Sequence, residues 1–172
     1  GVIQAFPEAY EMGKKFNMTK EELLNKVQET AEGYFDRGEL FCSESVVKTI
    51  NDLLDKPYSD DVVKLASGFP IGLGKSQCLC GAVSGGEIAL GMVYGRNHGE
   101  AMPDKMFDFA KEMHDYTREN YKSTCCRVIT KQWAGDNFKS PERKAHCVKI
   151  TGDIARWTAN KFIEDGVIEV NE

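Results

Sequence analysis

Residues 66–95, ASGFPIGLGKSQCLCGAVSGGEIALGMVYG, constrain the fold more than any other part of the chain. The stretch opens with Gly68, Gly72 and Gly74 spread through a loop, passes Cys78 and Cys80, and turns into an apolar segment. There Ala82, Val83, Ile88, Ala89, Leu90, Met92 and Val93 leave hardly any polar face, which predicts a helix covered on several sides. Gly85, Gly86 and Gly91 sit inside it. Each costs about 1 kcal/mol relative to alanine in a helix interior, so close approach by another helix or by a cofactor is expected to require them. The glycine loop then delivers Cys80 to the first turn of a buried helix. Unpaired amide donors and the positive end of the helix dipole favour a thiolate at such a position.

The flanking segments predict the helices that do the covering. Thr19 and Glu22 form a capping box, and Leu23, Leu24, Val27, Ala31, Tyr34 and Phe35 follow at helical spacing, giving a helix over residues 20–36. Cys42 and Ser43 precede a second stripe of Val46, Val47, Ile50, Leu53 and Leu54, closed by Pro57. Ser59, Asp60 and Asp61 open a shorter helix. Pro103 suits a first helical position, and Met106, Phe109, Ala110, Met113 and Tyr116 read as a core stripe reaching Tyr121. Ser123 and Thr124 cap a short helix that starts with Cys125 and Cys126. Ser140, Pro141 and Glu142 open the last helix, with Cys147 in its first or second turn. Apart from residues 167–170, nothing alternates with a period of two. The expectation is all-α: a compact bundle of about six to seven helices around the central glycine-containing one. Its domain covers residues 19–166, with an N-terminal arm or short helix over 1–18 and a tail over 167–172.

A chain of 172 residues is long enough for a core that needs no disulfide scaffold. Its net charge of −5 and dispersed basic residues argue against nucleic acid and anionic membrane as partners. Apolar runs fall well short of the roughly 18 residues of a spanning helix, and the first residues lack the basic and apolar regions of a leader. A cytoplasmic setting is expected. There the six cysteines, Cys42, Cys78, Cys80, Cys125, Cys126 and Cys147, point to metal or redox chemistry rather than structural disulfides. The local C-x2-C patterns of ferredoxins and zinc ribbons are missing, so any shared site has to be assembled by the fold. Cys42, Cys80, Cys126 and Cys147 come from separate segments, each at or near a predicted helix start. If those starts converge, the thiolates and amide donors form one pocket suited to an iron–sulfur cluster. Helix dipoles lower a thiol pKa by about one unit at most, so a cluster or a second cysteine must supply the rest.

Other polar residues carry less. His98, His114 and His146 read as surface or satisfied histidines, and Arg127 either offsets a thiolate at Cys126 or is solvated. Gly72 to Ser76, GLGKS, lacks the spacing of a phosphate loop and a preceding strand, which rejects nucleotide binding.

Cys80, Gly81, Ala82, Val83, Ser84 and Gly85 match the CGAxxG signature of the redox-active family written C_GCAxxG_C_C, small proteins with four characteristic cysteines. The chain resembles that family also in the preceding glycine loop, in Ala89, Leu90 and Gly91, in Tyr94 and Gly95, and in the order of Cys42, Cys126, Arg127 and Cys147. The resemblance covers residues 30–165. It implies a helical redox or iron–sulfur protein of anaerobic or metal-rich metabolism and supplies no substrate. Cys78 and Cys125 fall outside the four and leave room for extra ligands or a resolving thiol.

Three functions are consistent with this reading. The first is a redox protein holding an iron–sulfur cluster through Cys42, Cys80, Cys126 and Cys147, with Gly81 and Ser84 beside it. It would serve electron transfer to a partner protein or the chemistry of a small redox substrate, with room for a site shared across a homodimer. The second is a metal-free thiol–disulfide enzyme using Cys80 paired with another cysteine, Cys126 being one candidate. The third is a helical interaction module with a structural zinc.

Overall fold

Thr19 starts the first long helix as its sequence predicts. Its hydroxyl accepts the Glu22 N–H at 3.2 Å while the Glu22 carboxylate accepts the Thr19 N–H at 3.3 Å. The computed structural model describes residue 6, residues 9–11 and residues 15–171. In chain order these form β1 (Ala9–Glu11), β2 (Lys15–Phe16), α1 (Lys20–Asp36), α2 (Cys42–Leu53), the short turn α3 (Pro70–Leu73), α4 (Gly81–Tyr94), α5 (Asp104–Tyr121), α6 (Cys126–Ile129) and α7 (Pro141–Glu164). Tighter 3-10 turns cover Asp60–Ala66, Lys131–Trp133 and Gly135–Asn137. The fold is all-α, and no described helix is long and apolar enough to cross a membrane.

The core follows the helical stripes. Leu23, Val27 and Ala31 of α1 are buried against α7, which contributes Ile150, Ile154, Ala155 and Phe162. Helix α4 packs on α2, α5 and α7, so its apolar circumference has a physical cause. A Cβ at Gly85 would lie 2.6 Å from the Ser43 carbonyl oxygen, which means that the α2 and α4 backbones touch there. At Gly86 it would meet Met113 Sδ at 2.6 Å and Ile154 Cγ2 at 2.7 Å. Gly91 corrects the expectation: a Cβ there meets no atom within 4 Å, and nothing close needs its missing side chain.

Residues 1–5, 7–8, 12–14 and 172 lie outside the described ones, so Pro7 and much of the expected arm or short helix over 1–18 are not placed. The described part of that segment is an antiparallel β1–β2 pair. Phe6 and Phe16 are buried, with ring centroids 6.4 Å apart and edge-on. The Phe16 N–H donates to the Glu169 carbonyl at 2.9 Å, and the Asn171 N–H to the Met18 carbonyl at 2.8 Å. The period-two residues near the C-terminus thus contribute one parallel bridge, Lys15 to Glu169. Pro103 is the residue before α5 rather than its first: its ψ of 139° is extended, and the helix begins at Asp104.

Candidate functional site

Each of the four separated cysteines is positioned by a different local device. Cys42 is the first residue of α2, whose start is held by the Glu44 carboxylate accepting the Phe41 N–H at 2.9 Å and by Ser43 Oγ donating to the Ala66 carbonyl at 2.8 Å. Cys80 is the N-cap of α4, one residue before the first turn that the sequence suggests. The segment ahead of it runs alongside residues 124–127. The Cys80 N–H donates to the Thr124 carbonyl at 2.8 Å, the Arg127 N–H to the Gln77 carbonyl at 3.0 Å, and the Cys126 N–H to the Cys78 carbonyl. That short ladder brings Cys126, at the start of α6, beside Cys80. Cys147 comes from the second turn of α7.

The loop before Cys80 is strained. Ile71, Gly72, Leu73, Gly74, Lys75 and Gln77 all have φ between 56° and 70°, a left-handed turn. For non-glycine residues this conformation costs roughly 1–2 kcal/mol each, and for β-branched Ile71 it is an outlier. Strain of this kind gathers where a site demands a particular backbone. Here the turn directs the Ile71 amide at the Cys42 sulfur, which the Ser43 amide also reaches. Gly81 leaves the room: a Cβ there would collide with Cys42 Sγ and lie 3.1 Å from the Phe69 carbonyl oxygen.

Cys42, Cys80, Cys126 and Cys147 line one cavity of about 510 Å³. Gly81, Ile71, Phe41 and Phe138 are also in its wall, with Lys139, Arg143 and Lys144 on one side of it. Among the described residues no group of three or more His, Cys, Asp or Glu side chains is set to hold a metal ion.

Electrostatics overturns the expectation of ready thiolates. Burial pushes the Cys42 thiol from 9.0 to about 12, with Cys80 and Cys147 adding to the rise and the Ser43 and Ile71 amides opposing it. Burial likewise pushes Cys80 to about 11 despite the Val83 and Ala82 amides. Cys126 and Cys147 are raised by burial too, and Arg143 opposes this in both. A helix terminus is worth about one pKa unit at most, less than the shifts at Cys42 and Cys80. Without a bound cation, all four are therefore thiols at neutral pH.

This has a consequence for stability. A folded pKa above the unfolded value of about 8.5 adds stability below that pH, and the contribution is lost as pH rises toward the folded value. Reduced, metal-free protein is expected to lose stability between about pH 9 and pH 12, the upper limit being the Cys42 value. Urea midpoints measured across this range should fall less steeply in Cys42→Ser. Identical slopes in the two proteins would contradict the assignment.

Other residues singled out from sequence lie elsewhere. Ser84 is buried, does not line the cavity, and donates to the Cys80 carbonyl at 3.4 Å within its own helix. Cys78 is exposed, and Cys125 is half-buried with its sulfur 3.6 Å from the Gln77 carbonyl; neither lines the cavity. Arg127 is exposed, so its side chain is on the solvated side. His146 is not a surface residue: half-buried, it sits between Tyr121 (5.9 Å) and Trp133 (5.2 Å), and burial lowers its pKa. His98 and His114 are exposed.

Sequence reasoning missed Arg143, the cation that reaches Cys126 and acts through its charge on Cys147. The signal was available, since residues 143 and 147 share a helix face at i,i+4. It also missed Glu87, a half-buried carboxyl on α4 that burial pushes to about 8, away from the cavity lining.

A family model described as "Putative redox-active protein (C_GCAxxG_C_C)" matches residues 40–161. Neither a search of curated proteins nor one of solved structures finds a match.

Proposed function

Because the chain belongs to the C_GCAxxG_C_C family, we propose that its cysteine-lined cavity is a redox centre that holds an iron–sulfur cluster. The observation that carries this reading is the meeting of Cys42, Cys80, Cys126 and Cys147, from four separate segments, around one cavity of about 510 Å³. The donor set fits: thiolates are the usual ligands of such clusters, and four are the usual number. The cavity that these thiols share has room for a cluster.

A bound cluster would supply one-electron chemistry, for electron transfer to a partner protein or to a small redox substrate. The chain's own part is to place the four sulfurs, to line the cavity with the apolar Phe41, Ile71 and Phe138, and to set Arg143 against the negative charge. Loading requires the thiols to release protons. With pKa values of about 12 and 11 at Cys42 and Cys80, uptake of iron is expected to quicken with rising pH. The reading belongs with a reducing, cytoplasmic setting, where a chain with six cysteines uses them for metal or redox chemistry rather than structural disulfides.

Anaerobic purification followed by a visible spectrum and iron and sulfide analysis tests the proposal. A coloured protein with stoichiometric iron and sulfide is expected. Colourless protein that takes up no iron on reconstitution would overturn it.

The ladder between residues 77–80 and 124–127 favours one second reading, a metal-free thiol–disulfide centre made of Cys80 and Cys126. Its weakness is the raised pKa of Cys80, since the nucleophile in disulfide exchange is the thiolate. Mass spectrometry of thiols trapped under oxidising and reducing conditions separates the two readings.

A further inference from the structure

Arg143 lines the cavity with part of its guanidinium group unsatisfied among the described residues. Its guanidinium carbon lies 4.0 Å from the Phe138 ring centroid, over the ring face. The group reaches the Cys126 sulfur, yet its Nε is buried and has no hydrogen-bond partner among the described residues. It forms no ion pair with a described carboxylate. Its position is also unfavourable, because the third residue of α7 lies at the positive end of that helix. A buried donor left without a partner is unfavourable, and more so on a charged group.

The surroundings compound the imbalance. Lys139 and Lys144 line the same cavity, and Lys144 Nζ donates to the neutral Asp36 carbonyl at 3.1 Å without an ion pair among the described residues. Of the two carboxylates in the lining, Glu39 is neutralised by Arg37 at 2.5 Å. Glu44 is committed to the Phe41 N–H at 2.9 Å and the Ser67 hydroxyl at 2.8 Å. The wall is thus cationic in a chain whose net charge is −5. The volume of about 510 Å³ falls within the roughly 300–1,000 Å³ of small-molecule sites.

We infer that this cavity binds a small oxyanion, with Arg143 as its principal donor beside the thiols and Lys139 and Lys144 assisting. The inference deepens the redox reading, and rests on it for the purpose of the site: the anion is a ligand that the proposed redox centre takes beside its thiols. A guanidinium supplies the planar fork that oxygen pairs of such anions accept, and the Phe138 ring restrains it.

The test uses reduced, metal-free full chain under anaerobic conditions, titrated calorimetrically with sulfite, sulfate, nitrate and phosphate at constant ionic strength made up with chloride. At least one of the four is expected to bind saturably, one per chain. Arg143→Gln is expected to weaken that binding at least about tenfold, as loss of a hydrogen bond from a charged group does. Arg143→Lys, which keeps the charge and the fold but loses the fork, should weaken it about three- to tenfold. Absence of saturable binding by wild type, or unchanged affinity in Arg143→Lys, overturns the inference. A redox titration of the same wild-type sample, reconstituted with iron and sulfide, keeps the two failures apart. A redox couple without oxyanion binding defeats this inference alone, and oxyanion binding without a couple defeats the proposed function.

Discussion

Serine in place of any one of Cys42, Cys80, Cys126 or Cys147 is expected to lower iron per chain at least about tenfold, since loss of even an outer-shell group costs 10–100-fold in metal affinity. Cys78→Ser and Cys125→Ser are expected to keep both iron and redox couple. The distinction follows from position: the first four line the cavity, while Cys78 faces solvent and Cys125 turns toward the Gln77 carbonyl. No spare sulfur in the lining can substitute for a lost one. Iron analysis and the visible spectrum of all six single variants, each purified anaerobically, provide the measurement. If only Cys80 and Cys126 mattered, the thiol–disulfide reading would gain. If Cys78→Ser lost iron as fully as Cys42→Ser, the ligand set would be wrong. Thermal midpoints of the variants guard against reading simple unfolding as loss of a ligand.

The helices were legible because their signals are local. The Thr19–Glu22 capping box and the Leu23, Val27 and Ala31 stripe require only neighbouring residues, and α1 spans Lys20–Asp36 as they predict. Positions of the cysteines relative to helix starts were legible for the same reason. Their ionisation was not, because it depends on how deeply four segments bury one another, and no local pattern records that. Burial moves Cys42 to about 12, and this defeats the helix-end argument that favours a thiolate. The left-handed turn from Ile71 was hidden for a related reason: an isoleucine gives no warning of positive φ, and only tertiary contacts hold it there. Arg143 escaped notice where Arg127 did not, because adjacency in sequence is easier to see than adjacency on a helix face. In the fold the next residue points about 100° away, while the fourth returns to the same side.

Alanine at Gly85 and at Gly91 is expected to change stability in opposite directions, although both glycines lie inside α4. At Gly85 the added methyl runs into backbone, with Ser43 O at 2.6 Å and Ser43 Cα at 2.9 Å, and backbone cannot swing aside. Overpacking of this kind costs about 1–3 kcal/mol or more, so a fall in Tm of roughly 5–10 °C is expected for a chain of this size. At Gly91 nothing lies within 4 Å, and helix propensity alone acts. Alanine there should add about 0.5–1 kcal/mol and raise Tm by roughly 2–4 °C. The Gly85 effect extends to the site, because Ser43 follows Cys42 at the start of α2. Pushing that end of α2 away from α4 separates Cys42 from Cys80, so Gly85→Ala is expected to lose iron as well as stability. Gly81→Ala tests the same coupling more directly, since its methyl would meet the Cys42 sulfur itself. Iron per chain should drop in both while Gly91→Ala retains it. Equal destabilisation at Gly85 and Gly91 would mean that α2 and α4 do not touch as described, and the placement of Cys42 beside Cys80 would fall with that contact.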